Sequence, residues 1–298
     1  MVTPTECVRA GAASRTGHRF ARLPAVLLAA VLTGGCSAVL STGTALSKDV
    51  REHSVEVALH GESLTLHLTS PQVLASPSTP LVLYASGDGG WFGAAVGMFH
   101  TIASSAYPTV GFSSKELMGI ERKQSKPLAV SQLVEDYQQI IDAARGQLRL
   151  PPETPVVLTG WSRGASLGVL VSSRLHADSR VVGLVAIGLA AGEHLEIEGD
   201  TDDDEGPAAN VVISDPAHAR AIALYPLLSK LSPRRVVVVQ ASGDGYLPAA
   251  RARDLFGADT ATKRLVAIDA RNHRFSGGES AFAAALIEAV SWVASGGE

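Results

Sequence analysis

Ser162 stands between two glycines in Gly160-Trp161-Ser162-Arg163-Gly164, directly after the apolar run 155–159 (PVVLT) and before a helical pattern. In that setting a G-x-S-x-G string makes a sharp strand-to-helix turn. The turn projects the serine hydroxyl and leaves the next backbone N–H, that of Arg163, free. A serine hydroxyl is a poor nucleophile at neutral pH, so it needs a base, and the base needs an acid to orient it. His273 lies in the loop 270–278 that follows the last apolar run, and Asp244 lies at the tip of the run before it. Asp269 is the rival acid, closer to His273 in sequence but with no spatial aim implied by that closeness. A further glycine-rich turn, Ser86-Gly87-Asp88-Gly89-Gly90-Trp91, follows the run 81–84. It fits neither G-x-G-x-x-G nor the P-loop, so nucleotide binding is not indicated. Beside a nucleophilic serine it would instead supply a backbone N–H from Asp88 or Gly89, which together with that of Arg163 makes an oxyanion hole. The chemistry open to this set is acyl transfer through a covalent ester, with no metal or organic cofactor.

Such residues work only if a rigid frame brings them together. Short β-branched runs at 81–84, 108–112, 155–159, 181–187, 235–240 and 264–268 alternate with helical patterns at 91–103, 129–148, 165–176 and 281–293. That alternation implies βαβ units with right-handed crossovers and a mainly parallel sheet. Before it, Val55, Val57 and Leu59 alternate, as do Leu64, Leu66 and Leu68, around His60-Gly61-Glu62-Ser63, which predicts an antiparallel hairpin. Ligands of an open parallel sheet sit at the carboxyl ends of its strands, where all the residues above fall. The order Ser162, Asp244, His273 is the order of an α/β-hydrolase fold. The stretch 190–230 breaks the alternation and reads as a lid insertion; its run Asp200 to Glu205 lacks EF-hand spacing and reads as a solvated loop. The histidines His60, His67, His100, His176, His194 and His218 read as surface or core residues.

The chain has 298 residues, 46% hydrophobic and 18% charged, enough for one substantial core and incompatible with disorder or a disulfide-stapled miniprotein. A formal net charge of -4 argues against nucleic-acid binding. The only cysteines, Cys7 and Cys36, form no C-x-x-C pair, so cysteine zinc sites and redox motifs are excluded. Arg9, Arg15, Arg19 and Arg22 precede the apolar run 23–32, a secretory-signal pattern too short to span a bilayer comfortably. Thr33-Gly34-Gly35-Cys36 resembles a bacterial lipobox, in which cleavage before Cys36 leaves a lipidated amino terminus. The expected organisation is a signal peptide at 1–35, a lipid-anchored tether at 36–50 and the catalytic domain at 51–298, facing the periplasm of a bacterium.

Three sets of residues carry a resemblance to a known family. The string Ser86-Gly87-Asp88-Gly89-Gly90-Trp91, the elbow followed by Ala165, and His273-x-Phe275-x-Gly277 resemble the VirJ/AcvB bacterial virulence proteins, an exported branch of the α/β-hydrolases. Ser125-Lys126-Pro127, ahead of a helix containing Asp136, is similar to that family's Thr-Pro segment with its following Asp. The resemblance spans about 81–292. It implies hydrolysis of aminoacylated, chiefly lysyl, phosphatidylglycerol and a link to type IV secretion, so secretion-system proteins are implied partners besides the ester substrate and the membrane. Two other readings stay open: a binding or secretion-accessory protein that kept the fold without the chemistry, and an esterase of soluble acyl esters of the feruloyl type.

Overall fold

A computed structural model of the chain describes residues 50–71, 79–123, 129–176, 179–194 and 221–297. All of them belong to the compact unit Ser41–Glu298. The signal, Cys36, all of the tether except Val50, and the acidic run Asp200 to Glu205 lie outside the described residues. Among the described residues no helix is long and apolar enough to cross a membrane.

The hairpin forms where alternation predicts it, as β1 (Val50–Leu59) paired antiparallel with β2 (Glu62–Pro71). It continues into an eight-stranded sheet with β4 (Thr109–Phe112), β3 (Leu81–Ala85), β5 (Val156–Trp161), β6 (Val181–Ile187), β9 (Arg235–Ala241) and β10 (Lys263–Ile268), adjacent in that order. Pairing is antiparallel between β1, β2 and β4 and parallel from β4 to β10. This is the α/β-hydrolase architecture that the sequence predicts.

Both faces of the parallel strands are covered, which is why those runs are apolar throughout instead of alternating with polar residues. Leu81, Leu83, Val156, Leu158, Val236 and Val238 face α2 (Ser114–Lys123), α3 (Val130–Leu148), α4 (Arg163–Arg174) and α6 (Ala249–Phe256). Val82, Tyr84, Val157, Val237 and Val239 face α1 (Ala94–Ala103) and α7 (Glu279–Ala294) through Phe99, Ile102, Phe282, Leu286 and Val290. The helices on the two faces therefore hold the carboxyl ends of β3, β5, β6, β9 and β10 in register, and the loops that leave them converge.

Several elements were not expected from the sequence. Helix α6 buries only Ala249, Ala252 and Phe256, so its helical stripe is written mostly in alanine. Helix α2 carries Leu117, Met118 and Ile120 around Gly119, too few apolar residues to display a period. In the stretch 190–230, the described ends pair as β7 (Gly192–His194) and β8 (Ala221–Ala223), followed by the single-turn helix α5 (Tyr225–Leu228). The tip of this insertion lies outside the described residues.

Candidate active site

Ser162 is the residue between β5 and α4, with φ 55° and ψ -119°. A non-glycine residue with positive φ costs about 1–3 kcal/mol and persists only where its surroundings over-determine it. Here the surroundings are two backbone contacts that exclude side chains. A Cβ on Gly164 would sit 2.2 Å from the Ala85 carbonyl oxygen at the end of β3, and one on Gly160 would sit 2.3 Å from the Gly164 carbonyl. The two glycines of the motif are thus required by the close approach of helix α4 to the sheet, and that approach forces the turn at Ser162. The Arg163 N–H lies in the first turn of α4, where no helical carbonyl precedes it.

The loop after β3 folds back over this turn. Its Gly87 lies against the turn at Ser162: a Cβ there would be 3.2 Å from the Trp161 ring and 3.3 Å from Ser162 Cβ. The Gly90 N–H donates to the Gly87 carbonyl at 3.0 Å, closing a turn whose central residues are Asp88 and Gly89. Closure in this manner uses the N–H of the fourth residue and leaves those of the central pair out of the turn. Buried Ser86 pins the loop from below, donating to the Gly87 carbonyl and accepting the Ser114 N–H of α2. Trp91 anchors the other end, stacked on His67 of the hairpin at 4.2 Å.

His273 Nδ1–H donates to Asp244 Oδ2 at 2.7 Å. The carboxylate can only accept, so it fixes the proton on Nδ1 and leaves Nε2 as the basic nitrogen. Asp244 is 1% exposed and held on every side. Its Oδ1 accepts the N–H of Tyr246 at 2.9 Å and of Leu247 at 3.5 Å, and its Oδ2 also accepts the Gln240 amide at 3.0 Å. The His273 loop is held in turn by Trp161, whose Nε1–H donates to the His273 carbonyl at 3.1 Å. The imidazole lies over Gly188 at the end of β6, where a Cβ would come within 2.7 Å of the ring. Its Nε2 is buried and has no hydrogen-bond partner among the described residues. No hydrogen bond joins it to Ser162 among the described residues; catalytic contacts of this kind are often long without substrate and tighten when substrate binds.

The rival acid is engaged elsewhere. Asp269 is exposed and its Oδ1 accepts the Ser242 hydroxyl at 3.1 Å. A cavity of about 640 Å³ is lined by Ser242, Gly243, Asp269, Ala270, Arg271 and Gly277, and it includes none of Ser162, Asp244 and His273. Three supports of the site carry no motif in the sequence: Gln240, which shares Asp244 Oδ2 with His273; Gly188, which admits the ring; and Glu193 of β7. The Glu193 carboxylate, buried, lies 3.4 Å from Nε of Arg163, next to Ser162.

No family model matches the chain, and no curated protein sequence matches it significantly. Solved structures do. Est1E from Butyrivibrio proteoclasticus is 16% identical, with a TM-score of 0.55 over 81% of this chain and 99% of that one. An alpha-beta serine hydrolase homologue from Coxiella burnetii is 14% identical, with a TM-score of 0.54 over 79% and 96%. A dienelactone hydrolase from Anabaena variabilis is 17% identical, with a TM-score of 0.51 over 82% and 98%. At these identities the likeness is one of fold: it is to the α/β-hydrolase fold and does not single out the VirJ/AcvB branch.

Proposed function

With the α/β-hydrolase fold as premise, we propose that this protein is a serine ester hydrolase that works through an acyl-enzyme. Ser162 Oγ attacks the ester carbonyl while its proton passes to His273 Nε2. The C–O bond to the leaving group breaks as that proton is delivered to the departing oxygen. Water then attacks the acyl-serine with the same base, and Ser162 is released. Asp244 holds the imidazole in one tautomer and stabilises its charged form. The backbone N–H groups of Arg163 and of Asp88 or Gly89 receive the oxyanion. The observation that carries the reading is the 2.7 Å bond from His273 to a fully enclosed Asp244, with the opposite ring nitrogen left unpartnered.

The substrate reading rests on sequence and charge. Removal of 1–35 takes away four arginines and one glutamate from the 25 basic and 29 acidic residues, leaving a formal charge of -7. An acidic domain steers cationic substrates, and the resemblance to the VirJ/AcvB proteins supports an aminoacyl, chiefly lysyl, phosphatidylglycerol. In detergent micelles kcat/KM should be higher for lysyl- than for alanyl-phosphatidylglycerol, and the ratio should fall as salt rises, since exposed charges are screened over about 8 Å at physiological ionic strength. A ratio near one at every salt concentration removes the electrostatic account.

A second reading is an esterase of soluble aromatic acyl esters, favoured by the fold neighbour Est1E, which has been solved with ferulic acid bound. Good turnover of feruloyl esters with no cleavage of either aminoacyl lipid selects it. The periplasmic lipoprotein reading places the enzyme at the surface where an aminoacyl lipid lies. Cys36→Ser should then abolish acyl labelling and release the protein from the membrane fraction with its esterase activity intact; unchanged labelling and fractionation contradict it.

A further inference from the structure

Away from Ser162, a second cluster of polar side chains lies at the tip of the hairpin. His60 begins the β1–β2 turn at φ 52°, Glu121 lies in the last turn of α2, and Asp136 lies in α3. His60 Nε2 is 2.7 Å from Asp136 Oδ1 and 3.4 Å from Glu121 Oε1, and one donor atom from each of the three lies within 4.8 Å of the other two. Both carboxylates are buried, Glu121 at 4% exposure and Asp136 at 0%, and Glu121 Oε1 and Asp136 Oδ2 have no hydrogen-bond partner among the described residues. A protonated His60 would offset only one of the two charges.

Gln132 adds a further polar group to the cluster. It sits one turn before Asp136 on the same face of α3, with its amide Nε2 3.1 Å from His60 Nε2. The same amide Nε2 donates to Asp136 Oδ1 at 3.3 Å. One imidazole nitrogen and two carboxylate oxygens around one point are the donors of a borderline divalent transition metal, zinc above all, and not of the all-oxygen shell that calcium or magnesium prefers.

We propose that His60, Glu121 and Asp136, with the Gln132 amide beside them, form a zinc-class divalent metal site that ties the hairpin tip to α2 and α3. The sequence reading that took His60 for an ordinary surface or core residue had no means of seeing it, because the ligands come from three separate elements. The site is distinct from the proposed catalytic centre. β2 is antiparallel to β4 with Leu66 opposite Phe112, so the hairpin tip projects past the carboxyl end of β4. β2 and β5 are separated by three strand spacings, about 14 Å. The role is therefore structural: the cation neutralises two buried carboxylates and fixes the edge of the sheet.

The test uses full-length protein stripped with EDTA and titrated with ZnCl2, with MnCl2, MgCl2 and CaCl2 in parallel. The site predicts one Zn2+ bound per chain at micromolar concentration or tighter, a melting temperature raised by several degrees in excess zinc, and little response to magnesium or calcium. His60→Asn, chosen because asparagine tolerates positive φ, and Glu121→Gln should each weaken zinc binding about 10- to 100-fold. His100→Ala, in a separate group with Glu52, should leave it unchanged. Absence of binding at 100 µM zinc, wild-type affinity in both the His60 and Glu121 variants, or loss of binding in His100→Ala overturns the assignment.

Discussion

Ser162→Ala and His273→Ala should each lower ester turnover by several orders of magnitude, up to about 10⁶, because nucleophile and base act as one unit and removing either leaves little of the other's contribution. The double variant should lose scarcely more than either single one. Circular dichroism and melting temperature should stay close to wild type. Ser162 is held at φ 55° by the contacts of Gly160 and Gly164, and alanine meets the same backbone cost as serine there. Ser162→Gly, which relieves that cost, should be as inactive and more stable by up to about 1 kcal/mol. Turnover within about tenfold of wild type in both alanine variants would defeat the assignment of nucleophile and base.

Asp244→Asn should cost about 10⁴ in kcat while Asp269→Asn costs less than tenfold. The direction follows from the hydrogen bonds. Every group around the Asp244 carboxylate is a donor: Tyr246 N–H, Leu247 N–H, the Gln240 amide and His273 Nδ1–H. An asparagine NH2 must therefore point at one of them. If it points at the ring, Nδ1 becomes the acceptor, the proton moves to Nε2, and the base has no lone pair for the serine proton. If it points at the Tyr246 and Leu247 amides, two buried donors lose their acceptor and the loop that aims Asp244 is destabilised. Asp269→Asn loses an exposed hydrogen bond to Ser242 and nothing that touches the imidazole. The reverse ranking in kcat moves the acid to Asp269.

The parts of this account legible in the sequence are those written in local pattern. The apolar runs at 81–84, 181–187 and 235–240 coincide with β3, β6 and β9 to within a residue, because strands covered on both faces have no polar positions to blur their limits. The glycines around Ser162 mark the elbow because no other residue fits between helix and sheet at those points. Choosing Asp244 over Asp269 was possible from strand ends alone, since each candidate closes a different strand, and the hydrogen bond to His273 follows that choice. What stayed hidden depends on contacts between distant segments. Gln240 beneath Asp244, Gly188 beneath the imidazole and Glu193 beside Arg163 belong to no motif, and nothing local distinguishes them from ordinary core or loop residues. The hairpin-tip cluster is hidden for the same reason: His60, Glu121 and Asp136 meet only once β2 has paired with β4 and α2 and α3 have packed beside it.

The central claim is that Ser162 is a nucleophile activated by His273, and a fluorophosphonate probe tests it without knowledge of the substrate. Serine hydrolases with a working base react with such probes at the nucleophilic oxygen alone, whereas a protein that keeps the fold without the chemistry does not. The purified protein, treated with the probe and digested, should carry one adduct on the peptide containing Ser162. Labelling should be abolished in Ser162→Ala and slowed by orders of magnitude in His273→Ala. No adduct on the wild-type protein, or equal labelling of the Ser162→Ala variant, would contradict the account and leave a binding protein on a hydrolase fold.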